Sequence, residues 1–330
     1  MNMAPHTNHV RSRGGALLAV LWLSAALSAI AFSLANTVRG EVERTSTAVD
    51  GLRSYYLAQA GIDRGILYVE WELENTVPRN VPFRYSAANP VLPFSFPSGE
   101  AVVEVIPETA KLNLNSASPE NLLRLLMALN VDPDRAAQIV AGIVDWRTPG
   151  GMSQFDSFYL SLTPSFRSRH ASFEETEELL LVRGITPELY YGGYDHDAQG
   201  RLVPHAGLRD CVSVLGRVDG IDVNTAQPAV LMAAGMPPDA TAAIVARRRL
   251  QPFKSTGEVA GFAPGGGEAY GRLRVGGQSI FTFRSTARIR LPNGQLSDLR
   301  RIMAATVSFG RPGDRTRVDV LRWYDNAWTP

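Results

Sequence analysis

Over 330 residues the chain balances 33 basic against 32 acidic side chains, so its overall charge calls for no polyanionic partner. Its single cysteine, Cys211, excludes an intramolecular disulfide framework and a cysteine-built zinc module. With 45% apolar residues it can build a sizeable core, in one large domain or two modest ones.

The first element in chain order carries the strongest signal. Residues 16–38 hold no charged side chain. As a helix rising 1.5 Å per residue they would span about 34 Å, enough for a hydrocarbon core of roughly 30 Å. Arg11 and Arg13 precede them, positive charge that suits the cytoplasmic end of a spanning helix. A secretory signal peptide is cut behind its apolar stretch at a small-x-small site, and Ala29-Ile30-Ala31 offers one. Helical periodicity nevertheless continues past it. Val42, Val49, Leu52, Tyr56, Ala60, Leu67 and Trp71 share a stripe about 100° wide, interrupted by Asp63. One helix over residues 15–75 is expected, half in lipid and half packed on a domain. Gly51, Gly61 and Gly65 weaken it by up to about 1 kcal/mol each against alanine.

Pro78, Pro82, Pro90, Pro93 and Pro97 keep residues 76–98 out of a helix and predict an extended connection. Residues 99–106 (GEAVVEVI) read as a strand. Helical texture then holds for over a hundred residues. Alternation returns in residues 279–291, where Phe281, Phe283, Ser285, Ala287 and Ile289 take every second place. Pro292-Asn293-Gly294 predicts a turn, and residues 300–309 and 318–324 two further strands. The fold class is α+β: a long N-terminal helix on a small antiparallel sheet (76–109 and 276–330), with an inserted all-α domain (110–275).

The insert contains a repeat. Residues 112–119 (LNLNSASP) recur as 221–228 (IDVNTAQP), an offset of 109, and 136–140 (AAQIV) parallels 242–245 (AAIV). Each copy reads as helix, tight turn, helix. In the first, Ser118 is the expected N-cap and Pro119 the first helical residue.

These residues resemble the K-type (GspK) pseudopilins of bacterial type II secretion. Residues 11–23 (RSRGGALLAVLWL) are similar to the leader that prepilin peptidase cuts after a glycine. Further similar segments are 54–61 (SYYLAQAG), 145–147 (DWR), 159–162 (YLSL), 177–190 (EELLLVRGITPELY) and 207–210 (GLRD). The resemblance implies a leader of residues 1–14 and a cut between Gly14 and Gly15, with Gly15-Ala16 the neighbouring choice. It implies a single-pass inner-membrane anchor, a periplasmic domain, and partners among the I and J pseudopilins, the pseudopilus, prepilin peptidase and the inner-membrane assembly platform. Pilin-like subunits mostly carry glutamate as their fifth mature residue. That place falls here on Ala19, or Val20 for the later cut, which implies a position at the filament tip. Some relatives bind calcium in the loop before the YLSL segment. Residues 150–156 (GGMSQFD) depart from that pattern, with Asp156 the loop's only carboxylate and Asp145 five residues before Gly150. No cofactor is expected, and the default is a solvated loop.

Catalytic chemistry finds no support. His6, His9, His170, His196 and His205 lack ligand spacing or a nucleophile motif, and Asp195-His196-Asp197 with Gly200 is too sparse for a calcium loop. Gly265-Gly266-Gly267 reads as a loop without a phosphate-binding lysine. The alternative to an assembly protein is a membrane-tethered periplasmic nucleic-acid-binding protein of the competence type, built on helix-hairpin-helix units. Such hairpins hold phosphate on backbone N–H groups exposed by glycine. Here residues 129–134 contain no glycine and two carboxylates, and Pro237 and Pro238 remove two donors from the second turn. Arg247, Arg248 and Arg249 are expected to form a solvated helix end. No nucleic-acid partner is expected.

Overall fold

The computed structural model describes residues 13–74, 85–150, 153–197, 199–215, 220–262, 267–277, 279–310 and 316–327. Most of the leader, Pro78, Pro82, Gly151, Met152, Pro264, Gly265 and Gly266 lie outside the described residues. The chain divides into two units, residues 1–53 and 54–330.

Helix α1 (Arg13–Glu74) realises the long helix expected from the sequence. Within the first unit its apolar residues stand exposed, among them Leu17, Trp22, Ile30 and Phe32. Among the described helices it alone is long and apolar enough to cross a membrane. Beyond the apolar run the surface turns polar, with ion pairs one turn apart at Glu41–Arg44 (2.9 Å) and Asp50–Arg53 (3.0 Å).

In the second unit the strands and helices follow as β1 (Val91–Phe96), β2 (Gly99–Pro107), β3 (Leu112–Asn113), α2 (Pro119–Ala128), α3 (Pro133–Arg147), α4 (Asp156–Leu160) and α5 (Pro187–Tyr191). After these come β4 (Gly193–His196), β5 (Leu202–His205), α6 (Leu208–Cys211), β6 (Val212–Ser213), β7 (Ile221–Asp222), α7 (Pro228–Ala233), α8 (Pro238–Leu250) and α9 (Thr256–Phe262). The chain closes with β8 (Leu273–Arg274), β9 (Ile280–Ile289), β10 (Arg301–Gly310) and β11 (Arg317–Tyr324).

The main sheet has the order β1-β2-β9-β10-β11, and every neighbouring pair is antiparallel. Strand β9 buries the alternating set Phe281, Phe283, Ser285, Ala287 and Ile289 as its sequence predicts. Gly294 takes φ 82° in the turn that follows, a left-handed conformation open to glycine without cost. Strand β1 falls in the segment expected to be only an extended connection. It pairs along β2, with Pro93 opposite Val102. At a sheet edge a proline forfeits no ladder hydrogen bond, so its presence is compatible with a strand there.

The face of α1 that packs on this sheet is not the apolar stripe. Tyr56, Leu67 and Trp71 remain 64%, 60% and 58% exposed. The buried set is Leu57, Ala58, Gly61, Ile62, Gly65 and Val69, on the side of the helix away from that stripe. A Cβ added at Gly61 would lie 2.6 Å from Ser285 Oγ and 2.9 Å from Ala101 Cβ. One at Gly65 would lie 3.1 Å from Val103 Cγ1. The glycines that cost helix propensity are what allow the backbone to approach the sheet.

Two apolar cores result. One joins α1 to the sheet through Ile62, Val69, Val103, Phe283 and Val307. The other fills the helical segment between Ala110 and Leu273, around Leu125, Ile139, Tyr159, Tyr190, Val230 and Ile244. This second region departs from an all-α domain, because β3 pairs with β6, β7 with β8, and β4 with β5 in two-stranded pieces. Glu108 stands where the chain leaves the sheet. It is buried and accepts hydrogen bonds from Thr282 Oγ1 on β9 (2.7 Å), Lys111 Nζ (2.9 Å) and Ser213 Oγ on β6.

Candidate assembly surface and the helical insert

On α1, Gly15 and Ala19 lie in the exposed apolar helix, and Gly14 belongs to its first turn. Neither Ala19 nor Val20 carries an ionisable group, so this stretch of helix offers a neighbour only apolar surface. In the second unit Tyr56, Leu67 and Trp71 stand exposed on one side of the helix, with the exposed Asp63 among them. Tyr55 points elsewhere, its hydroxyl donating to Asp325 Oδ1 at 3.1 Å, where Trp323 Nε1 also donates at 3.0 Å.

The sequence repeat is a structural repeat. Each copy opens on a two-residue strand in a parallel pair, β3 with β6 and β7 with β8. The same turn follows, with Ala117 N bonded to Asn113 O (2.8 Å) and Ala226 N to Asp222 O (3.0 Å). Asn115 then clamps the backbone of Phe173, accepting from its N–H at 2.7 Å and donating to its carbonyl at 2.9 Å. Asn224 does the same to Phe253, at 2.8 and 2.9 Å, and also donates to Ala87 O. An arginine near the end of each second helix returns to the residue before the asparagine: Arg147 to the Leu114 carbonyl, Arg248 to that of Val223 at 2.7 Å.

These contacts also account for the hairpin turns and the basic run. Asn130 (φ 61°) and Gly235 (φ 103°) hold corresponding left-handed positions where the first helix of each copy ends. Ser118 caps α2 as expected, and the Asp132 carboxylate caps α3 by accepting from Asp134 N and Arg135 N. The acidic turn is therefore a helix cap. The expected solvated end at Arg247–Arg249 holds only in part. Burial pushes the Arg248 guanidinium down to about 10, while Arg247 lies over the rings of Phe253 and Phe262. Neither is presented as a free phosphate contact.

Three of the remaining segments singled out by sequence converge on one cluster. Trp146 stacks on Phe173 with ring centroids 6.2 Å apart and meets Tyr159 edge-on at 5.9 Å. Its indole N–H donates to Glu178 Oε2 at 3.1 Å. The other oxygen of Glu178 accepts from Glu174 N, Glu175 N and Arg169. Burial alone would raise this carboxyl; these donors more than offset it and hold it below its ordinary value. Tyr159 Oη accepts from Arg183 N at 3.2 Å, and the Tyr190 hydroxyl meets Thr176 Oγ1 at 3.1 Å. Sequence reading missed Phe173 and Phe253. They follow their asparagines by 58 and 29 residues, so no common spacing marks them.

Asp156, at the end of the loop before YLSL, is held by protein groups. Asp156 Oδ2 accepts from Ser153 N at 3.1 Å. Its Oδ1 lies 3.4 Å from Ser168 Oγ and 3.5 Å from His170 Nε2, and those two atoms are 2.7 Å apart. Serine and carboxylate both face the same imidazole nitrogen, so this is not the arrangement of a nucleophile triad, which sets them on opposite nitrogens. Asp195 instead pairs with His205 across the β4–β5 hairpin at 3.0 Å, and Asp197 caps the hairpin's tip by accepting from Gln199 N and Arg201 N. Among the described residues no three acidic, histidine or cysteine side chains gather as metal ligands.

Residues 105–192 match the family model of type II secretion system protein K. The type II secretion system protein K of Klebsiella pneumoniae is 26% identical over 269 residues, which cover 76% of this chain and 77% of that one. The chain is thus similar to type II secretion system protein K. The matched segment runs from the end of β2 through the first repeat copy to α5, so it spans the Asn115 clamp and the Trp146 cluster. The fold agrees over a longer stretch. The crystal structure of the GspK-GspI-GspJ complex from enterotoxigenic Escherichia coli aligns with a TM-score of 0.55 over 86% of this chain and all of that one, at 16% identity. This similarity supports a minor pseudopilin, and the apolar N-terminal helix among the described residues fits an inner-membrane anchor for a periplasmic domain.

Proposed function

We propose that this minor pseudopilin caps the periplasmic pseudopilus, joined to sibling subunits of the I and J types, and that it works by assembly and not by catalysis. The observation that carries the reading is the exposed apolar face of α1, Tyr56, Leu67 and Trp71, left over after the sheet is packed by the glycine face. A soluble domain gains nothing from such a face, whereas a bundle of pilin helices buries it. Ala19 supports the tip position. A carboxylate inside the membrane is costly unless paired, and a subunit without one needs no partner above it. We further propose processing between Gly14 and Gly15, no cofactor requirement, and a division in which residues 110–275 form the insert and 76–109 with 276–330 the pilin body.

The test is to tag the chain, overproduce the major pseudopilin, and image the extended filaments. Label at one end, with longer or fewer filaments on deletion, is the expected result; label spaced along the shaft overturns the tip assignment. N-terminal sequencing of the membrane-extracted protein should begin at Gly15. A start near Phe32 would show a secretory signal peptide instead.

A further inference from the structure

We infer that Asp156 is held by protein groups alone, with Ser168 and His170 filling the place a cation would take, so that the insert folds and persists without calcium. A calcium ion takes six to eight oxygen ligands, several of them carboxylates. Here both Asp156 oxygens are already engaged, Oδ2 by Ser153 N and Oδ1 by Ser168 Oγ and the His170 ring. Ser168 is buried, and its hydroxyl has two partners, Asp156 Oδ1 and His170 Nε2. His170 takes a left-handed φ of 47°, which few non-glycine residues adopt, so the surrounding contacts hold the backbone where its ring reaches Asp156. Asp145 is the remaining carboxylate nearby in sequence. Its Oδ2 is buried without a hydrogen-bond partner among the described residues, but one oxygen is far short of a calcium shell. The donor set does not fit the ion.

What a bound cation does for a loop is to neutralise a carboxylate and tie together segments distant in sequence. Asp156 opens α4, and Ser168 and His170 lie 12 and 14 residues further on, so their contacts tie the start of that helix to the chain beyond it. The imidazole Nε2 stands 3.5 Å from the carboxylate and 2.7 Å from the Ser168 hydroxyl.

The full-length protein in detergent, followed by thermal unfolding, tests the inference. Calcium at millimolar concentration, or EDTA, should leave the midpoint within about 1 °C. Ser168→Ala and His170→Ala should lower it by about 2 °C or more, with and without EDTA alike. A midpoint that rises by several degrees with calcium, and loses that rise in Asp145→Asn or Asp156→Asn, overturns the inference. So does a His170→Ala protein as stable as the parent, because the ring would then close nothing.

Discussion

Thr282 on β9 donates to Glu108 at 2.7 Å, joining the sheet to the turn where the insert begins across 174 residues of sequence. Burial alone would raise the Glu108 carboxyl, but Lys111, Ser213 and Thr282 more than offset it and leave it below its ordinary value. A carboxyl depressed in the folded state contributes stability that is present above its unfolded value and lost as pH falls through the folded one. Stability should therefore decline on acidification below the usual carboxylate range. Glu108→Gln, which leaves Lys111 without its charge partner, should cost about 3 kcal/mol at neutral pH and flatten the acid limb. Urea unfolding across a pH series reads both effects. An unchanged acid limb would show that Glu108 does not couple sheet and insert.

Gly61→Ala should destabilise although alanine is the better helix former. The gain of up to about 1 kcal/mol in propensity meets an overpacking cost of about 1–3 kcal/mol against Ser285 and Ala101. Gly51→Ala, with no atom within 4 Å of the new Cβ, should be neutral or stabilising. Thermal unfolding of the two variants side by side is the measurement.

Asn115→Ala should cost about 1–3 kcal/mol by leaving the Phe173 N–H and carbonyl unsatisfied. Asn224→Ala should cost more, since it also frees the Ala87 carbonyl. Equal losses, measured by chemical denaturation, would place the Ala87 contact outside the stable fold.

The triple variant Tyr56→Ala, Leu67→Ala, Trp71→Ala should fold with the parent's stability to within about 0.5 kcal/mol per site, because those side chains are exposed. It should nevertheless fail to co-purify with the sibling pseudopilins and should lower secretion. Normal secretion by this variant would remove the exposed face of α1 from the assembly surface.

Sequence alone determined the features that depend on neighbours along the chain. The uncharged run gave the membrane-length helix, period-two alternation gave β9, and Asn293-Gly294 gave its turn. The repeat of 112–119 in 221–228 announced two matching substructures, and Ser118 announced a cap. The orientation of α1 was a different matter. Apolar periodicity marked Tyr56, Leu67 and Trp71 as a packing face, yet a helix lying against a closely packed sheet is chosen by the small residues that let the backbones approach. Only the tertiary structure showed that Gly61 and Gly65 meet Ser285, Val103 and Phe283. The partners of Glu108, Asn115, Arg248 and Asp156 were equally illegible. Each is a polar group whose role depends on a donor or acceptor brought near by chain folding, at separations of 12 to 174 residues that follow no period. Burial makes those polar contacts compulsory, and burial is a property of the assembled fold.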